Sequence, residues 1–172
     1  MTRTTAGWVV LAVAISGATA LGQGPAPKAK GTPGPIMAAG ASFSEPSGWV
    51  RVQPTKSTTI GWFVNPGATS KTAQRMIVID FGRPTEADAR KAAQELAKQW
   101  RGTLLEKPIT LDGAPGYLVV AENRGPGLKP AVGIVVHREG RAYLIMGGAV
   151  PGDSVAQEVE EVRRGWKWVK SR

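Results

Sequence analysis

The sequence predicts an α+β domain: an antiparallel sheet of six to seven strands with helices covering both faces. Three observations predict it. Seven short apolar runs are separated by turn residues, two further segments carry apolar residues at helical spacing, and the later runs are apolar on both faces. A sheet with one wet face alternates apolar and polar residues, so apolar character on both faces calls for cover on both sides.

The chain opens with a leader. Arg3 supplies positive charge, Trp8 to Ile15 is unbroken apolar sequence, and Ala18-Thr19-Ala20 fits a small-x-small cleavage pattern. Residues 1–20 therefore read as a secretory signal peptide, which places the protein outside the cytoplasm, periplasmic or extracellular. The segment is short for a bilayer span of about 20 apolar residues; the alternative is an uncleaved anchor. Beyond the leader no stretch is long enough to cross a membrane. Residues 21–40 are dominated by Gly, Pro, Ala and Lys without apolar periodicity, and read as a flexible tether. Residues 41–172 remain for one globular domain.

Within that domain, strands are expected at 49–53, 58–64 and 75–81. Each is bounded by a turn cluster: Pro46-Ser47-Gly48, Asn65-Pro66-Gly67 and Gly82-Arg83-Pro84. A helix follows, with Thr85 and Asp88 as a variant capping box. Its buried stripe is Ala89, Ala92, Ala93, Leu96 and Trp100, and Gly102 stops it. Four more strands are expected at 103–111, 116–122, 131–138 and 141–149. Asp112-Gly113 and Glu139-Gly140 are hairpin dipeptides because both tolerate positive φ. The last helix starts at Ser154 with Gln157 as its capping-box partner. It carries Val155, Val159, Val162, Trp166 and Val169 on one stripe. Trp168 lies about 200° round from Trp166 on a helix, so it packs at a sheet edge or stays exposed.

These elements carry a resemblance. Phe43-Ser44-Glu45-Pro46-Ser47-Gly48-Trp49, the hairpin Arg138-Glu139-Gly140-Arg141-Ala142-Tyr143 and the terminal Trp166-Lys167-Trp168-Val169 resemble the PsbP/Mog1-like domain family over about residues 41 to 170. The resemblance implies an antiparallel sheet between helical layers, and binding or assembly rather than catalysis. It transfers no functional residue.

Composition narrows the chemistry. There is no Cys and one His, which excludes disulfides, thiol catalysis, Cys-based zinc sites and any site needing two imidazoles. No cofactor or metal is expected. A His-dependent hydrolase needs His137 with Ser44 or Ser154 and Asp80, yet no Gly-x-Ser-x-Gly elbow occurs. Asp80 interrupts an apolar run and reads as a strand-end acceptor; a buried carboxylate there needs a partner. Asp112, Glu122 and Glu139 fall at turns or strand ends, so no carboxylate pair is indicated.

The net charge is +9. All thirteen acids lie after residue 40, and the balance there is still +6. That favours anionic partners. Arg124 and Lys129 sit in one loop, and Arg138 and Arg141 flank a turn at the other end of the sheet, so these four do not form one patch. Trp168 with Arg163, Arg164, Lys167 and Lys170 forms the candidate partner-binding set. The expected function is an exported, non-catalytic domain binding a protein or envelope component. The alternatives are a hydrolase and a salt-sensitive binder of anionic lipid or polyanion. No base-and-aromatic platform for specific nucleic-acid binding is present.

Overall fold

Ile36–Ala38 (β1) and Ala41–Phe43 (β2) form a hairpin around Ala39-Gly40, with φ of 52° and 78°. The structure, a computed structural model, describes residues 35–84, 86–121 and 131–169. The leader, the tether before residue 35, Thr85, the loop with Arg124 and Lys129, and Lys170 lie outside the described residues. The hairpin corrects the reading of 21–40 as tether throughout. Ile36 is buried and Ala38 packs on the core, so residues 36–40 are an ordered strand and turn.

The main sheet runs β3 (Val50–Arg51), β4 (Thr59–Val64), β5 (Met76–Gly82), β10 (Arg141–Gly148), β9 (Ala131–Arg138), β8 (Ala114–Ala121) and β6 (Thr103–Leu104), with β7 (Ile109–Leu111) also on β8. Every pairing is antiparallel. The sheet therefore has eight strands, not six to seven. The run expected as one strand at 103–111 divides into β6 and β7, both paired to β8. Pro108, which has no N–H to donate, lies in the break. Ile79 pairs with Ile145, and Ile145 pairs with Ile134, which joins the two halves of the sheet.

Alternation along the central strands serves two cores. On one face, Ile77, Ile79, Ile134, Val136, Tyr143 and Ile145 pack with Val155, Val159 and Val162 around α2 (Ala156–Gly165). On the other, Val119, Ala121, Ala131 and Val135 pack with Ala93, Leu96, Ala97 and Trp100 of α1 (Ala89–Trp100). Two glycines permit the close approach. A Cβ on Gly133 would lie 2.8 Å from the Trp100 ring, and one on Gly147 would lie 2.5 Å from a Val155 methyl.

Cover on both faces is only partial. α1 sits on β8 and β9, while Trp62, Val78 and Asp80, facing the same way from β4 and β5, remain half-exposed. A single helix of twelve residues, about 18 Å long, cannot span so wide a sheet. Asp88 caps α1 by accepting from the amides of Arg90 and Lys91. The chain leaves α1 through Arg101 in the left-handed region, and Gly102 N–H donates to Ala97 O.

The last helix also departs from expectation. It begins one residue later, after Val155, and Ser154 Oγ accepts from Ala156 N–H rather than forming the expected box. It ends at Gly165. Trp166 is extended, with φ −72° and ψ 135°, and Lys167–Trp168 form β11. β11 pairs with β2 and completes a three-stranded sheet of order β1-β2-β11. Gly165 destabilises a helix by about 1 kcal/mol relative to Ala, and Trp166 and Trp168 alternate with exposed Lys167 as strand residues do. Among the described residues no helix is long and apolar enough to cross a membrane.

Candidate binding cleft

Two tight turns meet at the β9–β10 end of the main sheet. The β9–β10 turn places Glu139 and Gly140 at φ 51° and 72°, the pattern of a two-residue hairpin. Its flanking residues Arg138 and Arg141 are paired across the strands, so their side chains share a face. Opposite them lies the Ala39-Gly40 turn. Tyr143 Oη donates to Ala39 O at 2.7 Å, and Arg141 Nη1 donates to the same carbonyl at 3.2 Å. Val169 N–H donates to Gly40 O at 3.0 Å.

The wall between the turns is aromatic. Phe43 stacks on Trp166 with ring centroids 5.2 Å apart, and Trp168 meets the edges of both Trp166 and Tyr143 at 5.4 and 5.0 Å. Trp168 is fixed at three points. Its indole N–H donates to Leu111 O at 2.7 Å, its backbone N–H donates to Asp112 Oδ2 at 2.8 Å, and the Arg138 guanidinium lies 4.7 Å over its ring. Trp168 therefore packs at the sheet edge, as one of the two placements expected, but from a strand.

These groups enclose a cleft of about 580 Å³ lined by Met37 to Ala41 of the β1–β2 hairpin, Arg138, Glu139, Arg141, Tyr143, Trp168 and Val169. Like charges directly opposite one another destabilise a strand pair. Arg138 answers this with Glu139, which accepts from its Nε at 3.2 Å, and with the Trp168 face. Arg141 has only the Ala39 carbonyl among the described residues, and its side chain is exposed. The cleft lining thus holds two guanidinium groups and one acid, and Asp112 beside it acts on Arg138 as well. Nearby, Asp112 is held below its ordinary value, first by the Trp168 backbone N–H and then by the Lys167 ammonium.

The expected basic set does not converge here. Arg163 donates from Nε and Nη2 to Glu160, both at 2.6 Å, and from Nη1 to Thr110 O at 2.6 Å. Arg164 donates to the same Glu160 carboxylate at 2.8 Å. The Arg163 hydrogen bond, with Arg164 in support, holds Glu160 down to about 2. Lys167 points to Asp112 at 3.2 Å. Only Trp168 of the set lines the cleft; Lys170 lies outside the described residues. Arg138 and Arg141 do not share a patch with Arg124 and Lys129 in the sequence reading, and the wall that faces them, β1 and its turn, read as tether. The signal available was their spacing around a two-residue turn, which makes them cross-strand partners.

The hydrolase candidates lie apart. His137 and Asp80 alternate with core residues Val136 and Ile79, and so face the α1 side. Ser154 leads into α2 on the other side of the sheet. His137 Nδ1 is 3.3 Å from Ala87 O, and Asp80 accepts from Thr59 Oγ1 at 2.6 Å, so Asp80 does find the partner a half-buried carboxylate needs. A second cavity, of about 390 Å³, lies between α2 and β8–β9 with mainly aliphatic walls, among them Leu118, Val132, Ile134 and Val159.

No family model matches the chain, and no curated protein matches it significantly in sequence. Among solved structures it is similar to a protein of Bacteroides thetaiotaomicron VPI-5482, with 16% identity and a TM-score of 0.53 over 76% of this chain and 46% of that one. The match spans less than half of that protein. It is also similar to the solution structure of cyanobacterial PsbP (CyanoP) from Synechocystis sp. PCC 6803, with 13% identity and a TM-score of 0.49 over 75% of this chain and 86% of that one. At this identity the likeness to the Bacteroides protein extends to fold alone.

Proposed function

We propose that this protein is an exported, non-catalytic binding domain that holds anionic groups of a protein or envelope component in the cleft between the Ala39-Gly40 and Glu139-Gly140 turns. The observation that carries the proposal is the cross-strand pair Arg138 and Arg141 beside Trp168. Two like charges kept opposite one another, with Glu139 paired to Arg138 alone, favour binding of a further anion. A planar guanidinium is suited to bidentate recognition of carboxylates. The leader supports export to a periplasmic or extracellular location. The separation of His137 and Asp80 from Ser154 by the sheet favours binding over hydrolysis.

The test is a titration of the full chain with fluorescein-labelled hexaglutamate. The double variant R138E/R141E is expected to bind at least about tenfold more weakly than wild type, since each charge-assisted contact contributes about 1.5–3 kcal/mol. Arg164→Glu, outside the cleft, is expected to weaken binding far less. Equal binding by wild type and the double variant overturns the assignment.

A further inference from the structure

Strand β1 is an open edge. It pairs with β2 on one side only, and no described strand lies on the other. Because a two-residue turn joins Ala38 to Ala41, that pair exchanges hydrogen bonds, and the next pair, Met37 with Ser42, does not. The N–H and C=O of Met37 therefore point away from β2, and Met37 is 67% exposed.

Native edges are guarded by short length, charge, proline or irregular register. The other edges here follow that pattern. β3 is two residues long and carries Arg51, β11 is two residues long and carries Lys167, and Pro108 follows Lys107 beside β7. β1 is three residues long and follows Pro35, but it carries no charged side chain and its register is regular. Met37 and Ala38 also line the cleft with Arg138 and Arg141.

Resting on the cleft assignment above, we propose that the ligand is an extended acidic peptide segment that adds to β1 as a fourth strand of the small sheet. Its backbone bonds Met37, and its carboxylates reach Arg138 and Arg141. Main-chain hydrogen bonds supply affinity in strand addition, and side-chain contacts supply selectivity. The excess of guanidinium over carboxylate in the cleft selects acidic over basic segments.

The probes are Ac-Glu-Val-Thr-Val-Glu-NH₂, its lysine counterpart, and the acidic peptide N-methylated at its three central residues. N-methylation keeps the charge and removes the ladder donors. With the full chain, the acidic peptide is expected to bind at least about tenfold more tightly than either other peptide, and to slow Met37 amide exchange at least about tenfold. If the N-methylated peptide binds equally, R138E/R141E weakens both, and Met37 exchange is unchanged, strand addition is overturned while the cleft stands. If the acidic peptide fails to bind, or binds R138E/R141E as well as wild type, the cleft assignment and strand addition both fall.

Discussion

Arg138 sits over the indole of Trp168, with its Cζ 4.7 Å from the ring centroid, while its cross-strand partner Arg141 reaches over to Ala39 O. One arginine is thus held by an aromatic face and the other by a carbonyl of the opposite hairpin. A cation over an aromatic face contributes about 0.5–2 kcal/mol, depending on desolvation.

Replacing Trp168 should separate its two roles. Trp168→Phe keeps a ring beneath Arg138 but loses the N–H bond to Leu111 O, at an expected cost of about 1 kcal/mol. Trp168→Ala removes the ring and its contacts to Tyr143 and Trp166, at an expected cost of about 3 kcal/mol. Urea unfolding of the two variants measures both.

Acid should weaken the tie between α2 and its ion pairs. Glu160 has an ordinary value of 4.5 and is held to about 2, chiefly by Arg163. The folded value is the lower one, so the stabilisation is full above pH 4.5 and is lost as pH falls through about 2. The carboxylate is 37% exposed, and solvent screening limits the contribution to about 1 kcal/mol. Glu160→Gln should therefore be less stable than wild type at pH 7 by about that amount. The gap should close as pH falls from 4.5 to 2, read by urea midpoints along the pH series.

Asp112 should behave in the same direction. Its carboxylate accepts from Trp168 N–H and Lys167 Nζ, and both lower its pKa. Asp112→Asn, which tolerates the φ of 46° at this turn, should lower the melting temperature at pH 7. That difference should diminish below the ordinary value of 3.8, as protonation of wild type removes the same charge.

Much of the fold was legible because local signals agree. Asp112-Gly113 and Glu139-Gly140 both adopt the positive φ their residue types tolerate. Ala93, Leu96 and Trp100 form the buried stripe their spacing predicts. The misplaced parts are those where long-range packing decides. Met37 and Ala38 have no periodicity beyond three residues, and become a strand only because Phe43 and Ile36 reach the core. Trp166 and Val169 extend a helical pattern in sequence, but the pairing of Trp168 with Ala41 turns the chain into a strand. The cleft went unseen for the same reason: Arg141 gains its place from Ala39, 102 residues earlier.

Packing through Gly133 and Gly147 gives a further test. Gly133→Ala places a methyl 2.8 Å from Trp100, and Gly147→Ala places one 2.5 Å from Val155. Each should cost about 1–3 kcal/mol by pushing its helix from the sheet. Gly133→Ala alone should alter the near-ultraviolet circular dichroism of the α1 side.

The most direct test of the cleft is a map of amide and indole shifts in the ¹⁵N-labelled full chain as hexaglutamate is added. The account expects the largest changes at Met37 to Ala41, Arg138 to Tyr143 and the Trp168 indole, all of which fade as salt rises. Changes centred instead on Arg163 and Arg164, or no changes at all, contradict it.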